Sequence, residues 1–545
     1  MKVAQAVGEA LAETGVADIF GLIGSGNFAV ANALVASGAR FVAARHETGA
    51  VTMADAYARV SGRLGVCTVH QGPGLTNAVT GLAEAAKSRS PLLLLAAETA
   101  ASAIRSNFRI DQANLVASVG AIPERVNEPA TAVADALRAA RRAQVERRPV
   151  VLMMPLDVQA GECPPPDDLS PAPALRPVRP SADAVAEIAD LIRRARRPLI
   201  LAGRGAVLAR AREPLERLGD LVSALFATSA VANGLFSGSP WSLGISGGFA
   251  SPLAAELIGQ ADLCLAFGAS LNMWTTWHGR LLAPDAIVVQ IDDEAQALGS
   301  HHRVDVAVVG DVGETARALL LSVKETLSDW RTPELAERIR QETWHRQPYE
   351  DAGTGQTIDP RTLSIALDEL LPSDRAVAVD AGHFMGYPPM YLRVQNPDAF
   401  IFTQGFQSIG LGLASAIGAA VARPERITVA ALGDGGALMA LPEFETAGRL
   451  GLPILIVVYN DAAYSAEVHH FGPMGQPVNL VKFPDTDFAA IGRAVGLEGL
   501  TVRCRADLEP VRDWAGGLQR SGLVVDAKVE PTVVASWLKD SFRGH

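Results

Sequence analysis

Short apolar runs alternate along this chain with longer stretches whose apolar positions recur at helical spacing. Leu64–Val69 and Pro91–Ala97 read as strands in the first third. Pro198–Ala202, Leu263–Phe267 and Ala286–Ile291 do so in the middle, and Ala376–Val379, Ile427–Leu432 and Pro453–Val458 in the last. Helices are expected from the first residues onward, near Glu47, near Leu75 and over Leu441–Leu450. Two stretches break the rhythm: Cys163–Pro180, where proline is too dense for regular structure, and the polar, glycine-containing segment around Gln347–Thr357. They divide the chain into 1–162, 181–330 and 356–545. Strand–helix alternation within each block predicts an α/β protein of three doubly wound parallel-sheet domains. Ligands of such sheets lie beyond the carboxyl ends of strands, so the loops there are the places to look for chemistry.

Composition narrows the function classes. A chain of 545 residues exceeds what one core usually serves, and 49% hydrophobic with 20% charged residues is a globular balance. The formal charge of -11, without a basic stripe, argues against nucleic acid as a partner. Cys67, Cys163, Cys264 and Cys504 lie far apart with no metal-ligand spacing, which suits a reducing, cytoplasmic setting. No uncharged apolar run reaches about 18 residues, and the start reads as an amphipathic helix rather than a signal peptide, so no membrane association is expected.

Three strand-end segments carry candidate chemistry. Gly433-Asp434-Gly435-Gly436 follows one strand and Asn460 ends the next, so a carboxylate and an amide oxygen can converge on a hard cation. The glycines permit close approach of a phosphate to backbone. Gly-Asp-Gly alone could be a simple turn; the asparagine at the end of the very next strand favours the site. Arg45-His46-Glu47 precedes a helix, where a glutamate could merely complement the helix dipole. His70-Gln71-Gly72-Pro73-Gly74-Leu75-Thr76-Asn77 leaves a strand and opens a helix, which places a proton-shuttling imidazole at a strand end.

These segments, in this order, resemble the thiamine-diphosphate-dependent enzymes related to acetolactate synthase, benzoylformate decarboxylase and pyruvate decarboxylase. Tyr459-Asn460 stands where the family's metal motif usually has Asn-Asn. The resemblance implies a pyrimidine-binding first domain, a central Rossmann-like domain and a diphosphate-binding third domain. It assigns Mg2+ to Asp434, Asn460 and the carbonyl of Ala462. Gly382, His383, Gly433, Gly435, Gly436 and Tyr464 then line the diphosphate. Ile409 bends the cofactor, and Gln407, where the family commonly has glycine, offers a backbone carbonyl. Glu47 becomes the carboxylate that bonds the pyrimidine ring and promotes loss of the C2 proton.

On the substrate side, His70 and Ser25 match a histidine and a serine of benzoylformate decarboxylase, with Gln71 beside them. Glu467, in Tyr464-Ser465-Ala466-Glu467, resembles the acid of pyruvate decarboxylase. His469 and His470 follow on the same helix, and His278 lies three positions from a second benzoylformate decarboxylase histidine. Phe108-Arg109-Ile110 replaces the Phe-Gln-Glu of acetolactate synthases, which argues against plain acetolactate synthesis; Arg109 could hold a carboxylate instead. Some relatives bind FAD or ADP in the central domain, where Gly203-Arg204-Gly205 and Gly310-Asp311 lie, but Gly-x-Gly alone does not establish FAD here.

The implied reaction is decarboxylation of a small 2-oxo acid through an acyl anion that is protonated or transferred to a second carbonyl. The implied assembly is a homodimer at minimum and usually a homotetramer. Cleavage of an acyloin, another hydroxyketone or a 1,2-diketone with the same cofactor is the alternative. A binding protein that kept the fold after losing catalysis is a third reading, against which Glu47, Asp434 and Asn460 together argue.

Overall fold

The computed structural model describes residues 1–164, 175–325, 329–517 and 521–538. Residues 165–174 of the proline-dense stretch, and the last residues of the expected third domain, lie outside that set. Each third of the chain folds around one six-stranded sheet in which every pairing is parallel. The first sheet runs, in space, Arg40–Ala43, Asp18–Gly21, Gly65–Val69, Leu92–Glu98, Pro149–Pro155, Ile122–Arg125. The third runs Phe400–Phe402, Arg375–Val379, Ile427–Gly433, Ile454–Asn460, Leu523–Lys528, Glu498–Val502. Numbered within each domain, both have the order 2-1-3-4-6-5, whereas the central sheet has 3-2-1-4-5-6. The strands expected from apolar runs form within one or two residues of their predicted ends.

This topology positions the site. In the first and third sheets the chain turns in opposite directions after strands 1 and 3, opening a crevice at their carboxyl ends. Those ends are Gly21 and Val69 in one domain and Val379 and Gly433 in the other. Strand interiors are mainly apolar; Leu92, Leu93, Leu94 and Leu95 are all essentially inaccessible, as covered parallel sheets require.

The first and third domains share one core. Phe20, Met53 and Leu75 of the first pack in the same cluster as Leu413, Ile417 and Phe444 of the third. Burying side chains of this size contributes about 1.5–3 kcal/mol each. The helices Glu47–Ser61 and Gly412–Ala422 meet at Gly418, where a Cβ would lie 2.1 Å from the carbonyl oxygen of Met53. Among the described residues, no helix is long and apolar enough to cross a membrane.

Candidate functional site

Gly433 and Tyr459 pair in register on adjacent parallel strands, so Asp434 and Asn460 emerge side by side. Both turn onto the same loop: Ala463 N–H donates to Asp434 Oδ2 (3.1 Å), and Ala462 N–H donates to Asn460 Oδ1 (3.3 Å). The Asn460 amide orientation is set from behind. Its Nδ2 donates to Asp485 Oδ1, the Thr486 carbonyl and Asp526 Oδ1 at 2.9–3.2 Å, which turns Oδ1 toward the loop. Ala462 sits at φ +55°, a left-handed conformation of the kind held at functional turns.

Asp434 is buried and satisfied by backbone N–H groups of Gly435 and Ala463 rather than by a lysine or arginine. Burial, then the neighbouring charge of Asp461, push its carboxyl up to about 7; burial pushes Asp461 up to about 6. A divalent cation here would offset both costs. Among the described residues no three His, Cys, Asp or Glu side chains gather as a metal cage. One carboxylate, an amide oxygen and a carbonyl instead suit a hard cation that completes its shell with phosphate oxygens. Gly435 and Gly436 have no room for side chains: a Cβ would lie 2.3 Å from Tyr464 Cε1 in one case and 2.4 Å from Asp380 Oδ2 in the other. The donor set and the glycine cradle therefore fit a metal-bound diphosphate.

Asp380 went unnoticed in the sequence. It is fully buried beyond the strand ending at Val379 and accepts from Gly410 N (2.9 Å), Leu411 N (3.2 Å) and Ala381 N (2.9 Å). It thereby anchors the turn carrying Gln407 and Ile409. Gln407 adopts φ +64°, which accounts for the glycine expected at this position. His383 is buried; Ala535 N–H donates to its Nε2 (2.9 Å), so the neutral ring carries its proton on Nδ1. Burial, then the adjacent His469, push its pKa down to about 3. The two rings lie 4.7 Å apart, so His469 faces His383 rather than open solvent. Gly382, just before, has φ +133°.

In the first domain, Glu47 opens the helix Glu47–Ser61 and is buried. Asn77 Nδ2 donates to its Oε2 (3.0 Å), joining two sequence-predicted segments. His70 and Ser25 also come together across the crevice. His70 Nδ1 lies 2.8 Å from the carbonyl of Gln71, which only accepts, so the proton sits on Nδ1. Nε2 then faces the Ser25 hydroxyl at 3.3 Å. Phe108 packs edge-on to the imidazole at 5.0 Å. The Gln71 side chain points into the protein; a Cβ on Gly26 would strike its Oε1. Its carbonyl is thus the part that touches His70. Glu467 is half-buried in the first turn of Ser465–Phe471. Arg109 is exposed, and His278 lies in the central domain with φ +56°.

A cavity of about 270 Å³ opens at the carboxyl ends of the central sheet, where Arg204 and Gly268 leave strands 1 and 4, and reaches Gln407. Lys87 and Arg147 reach it from the first domain and Gln404 from the third.

Comparison with known proteins finds one family along the chain. Residues 1–116 match the N-terminal binding domain of thiamine pyrophosphate enzymes, 185–319 their central domain and 380–526 their C-terminal binding domain. The chain is 30% identical to the acetolactate synthase large subunit of Parasynechococcus marenigrum, covering 95% of this chain and 85% of that one. It is 31% identical to the probable 2-ketoarginine decarboxylase of Pseudomonas aeruginosa (96% and 92%). Identity to the sulfoacetaldehyde acetyltransferase of Castellaniella defragrans is 28% (94% and 90%). With three parallel-sheet domains and these matches across all of them, this chain belongs to the thiamine pyrophosphate enzyme family.

Proposed function

We propose that this enzyme decarboxylates a small 2-oxo acid and either protonates the acyl product or passes it to a second carbonyl compound, using thiamine diphosphate and Mg2+. The observation that carries the reading is the Asp434–Asn460 pair, two oxygen donors held at one level on adjacent strands beside a glycine cradle. When bound, the cofactor supplies a nucleophilic carbon and a sink for the electrons of the broken bond. The protein's part is orientation and proton management. Asp434, Asn460 and the Ala462 carbonyl hold the metal, and Gly433, Gly435 and Gly436 admit the diphosphate. His383 offers a neutral Nδ1–H donor, and Tyr464, packed on Gly435, walls the site. Ile409 would pack against the cofactor, and Gln407 would contribute its carbonyl.

Glu47 would hydrogen-bond the pyrimidine ring nitrogen and pass a proton to and from it, with Asn77 fixing its other oxygen. His70 holds or releases a proton at Nε2, relayed through the Ser25 hydroxyl, while Gln71 fixes the tautomer. Glu467 serves as a second acid facing the substrate. The functional unit is a homodimer or a tetramer built from it. In keeping with a second copy covering the site, Phe28 (56%), near Ser25, and Met439 (60%), near Asp434, are exposed.

The test is incubation of the purified protein, with thiamine diphosphate and Mg2+, against a panel of 2-oxo acids. Carbon dioxide together with an aldehyde or hydroxyketone product supports the reading. Turnover of a preformed hydroxyketone or diketone, with none of the 2-oxo acids, would replace it with a carbon–carbon cleavage reaction.

A further inference from the structure

Two buried carboxylates cross between the first and third domains in opposite senses. Glu443, in the first turn of the third-domain helix Leu441–Leu450, reaches into the first domain. Its Oε1 accepts from Arg45 N (3.1 Å) and His46 N (3.0 Å), the two amides immediately before Glu47. Thr446 Oγ1 donates to its Oε2 (2.7 Å) and fixes the carboxylate from its own helix. The approach is close enough that a Cβ on Gly49 would lie 2.4 Å from Oε1.

Glu84, on the first-domain helix Pro73–Lys87, does the converse. It is fully buried and accepts from Gly405 N at Oε1 (3.1 Å) and Phe406 N at Oε2 (2.7 Å), the amides immediately before Gln407. Ser88 Oγ (2.8 Å) and Arg59 Nη2 (3.1 Å) complete its shell. Asp380 grips the same turn from the other end.

We propose that Glu443 and Glu84 are reciprocal positioning residues: each carboxylate fixes, in the other domain, the backbone that aims a cofactor-facing group. Glu443 aims Glu47; Glu84 aims the Gln407–Ile409 turn. The proposal rests on the roles given above to Glu47 and Ile409. Its physical basis is that charge-assisted bonds to two consecutive amides fix a peptide in place, and that small misplacements of a reacting group cost large factors in rate.

The two clamps differ in a way that a substitution can read. Both amides held by Glu443 converge on one oxygen, and the other oxygen faces a hydroxyl that can donate or accept. Glutamine can therefore replace Glu443 with its carbonyl toward Arg45 and His46 and its NH2 toward Thr446. At Glu84 each oxygen takes its own backbone N–H, so glutamine must turn an NH2 group against one of them. Glu84→Gln also takes one carboxylate from Arg59, which Asp55 still pairs, so local exchange at 404–407 rather than stability separates a clamp on the turn from a structural ion pair.

The experiment follows amide hydrogen exchange of segments 44–47 and 404–407 in the cofactor-free full-length protein, thiamine diphosphate affinity with Mg2+, and turnover. Glu443→Met should speed exchange at 44–47 and lower kcat by roughly tenfold to a hundredfold, with cofactor affinity within about threefold of wild type. Glu443→Gln should restore both. Glu84→Gln should speed exchange at 404–407 and weaken cofactor binding by about tenfold or more. Should Glu443→Met not fold, Thr446→Val, which only releases Oε2, should speed exchange at 44–47 in the same direction. Unchanged exchange in these variants, or Glu84→Gln behaving as mildly as Glu443→Gln, would overturn the proposal. Absence of thiamine diphosphate binding by wild type would instead count against the assigned function, since the exchange measurement needs no cofactor.

Discussion

His70 presents its Nε2 to the hydroxyl of Ser25, 3.3 Å away, because its Nδ1 is committed to the carbonyl of Gln71. A ring locked in one tautomer, with a hydroxyl on its outward nitrogen, is suited to exchanging a proton at one atom. His70→Ala is expected to lower kcat by about a hundredfold or more and Ser25→Ala by about tenfold. Because the two act as a unit, the double variant should be little worse than His70→Ala alone. Steady-state kinetics of the three variants checks this; additive losses would separate the two residues.

Asp434 and Asp461 share a buried corner to which the protein contributes backbone N–H groups. Asp434→Asn keeps the shape and removes one of two like charges. Its amide also turns an NH2 group against Gly435 N or Ala463 N, which offsets the relief of like charge, so the stability of the cofactor-free variant in urea unfolding should change by less than about 1 kcal/mol. The same variant should lose Mg2+-dependent binding of thiamine diphosphate, which titration calorimetry would measure.

Away from the site, Asp368 ties the third domain together. It takes an ion pair from the buried Arg375, bonds from Arg393 N (2.9 Å) and Nε (2.7 Å), and a contact with His345 Nε2 (3.0 Å). Burial alone would raise its pKa, but these partners, His345 and Arg375 foremost, hold it down at about 2. A carboxylate depressed in the folded state contributes stability in full above its ordinary value near 4, and that contribution is lost as pH falls through the folded value. Asp368→Asn should cost roughly 3–5 kcal/mol at neutral pH by leaving Arg375 buried and unpaired. The gap between variant and wild type should hold constant down to about pH 4 and narrow toward pH 2. Urea unfolding across that range tests both the size and the direction.

The contact between the domain-bridging helices leaves no slack at Gly418. Gly418→Ala places a methyl group against the Met53 carbonyl and should destabilise the protein by about 1–3 kcal/mol, despite alanine's better helix propensity. Thermal unfolding distinguishes this from the stabilisation expected if the helices could part.

Much of this was legible in the chain because the informative residues sit where short apolar runs stop. Gly433-Asp434-Gly435, Glu47 and the His70–Asn77 turn each leave a strand end or open a helix, so local pattern and chemistry coincide there. A four-residue edge strand such as Ile122–Arg125, with its partly exposed pattern, carries too little apolar signal to be read. Asp380, Glu84 and Glu443 were equally hidden. Each grips backbone amides 30 or more positions away, and no spacing in the sequence marks such a bond. The matching strand orders of the first and third domains belong to the same class, since topology is a property of pairing and not of composition.

The measurement that bears most directly on the account is the exchange of the C2 proton of bound thiamine diphosphate in deuterated buffer, stopped by acid and read by NMR, in wild type and Glu47→Gln. Exchange should be far faster than in the free cofactor and be slowed about a hundredfold or more by the substitution while the cofactor stays bound. Equal rates in the two proteins would contradict it.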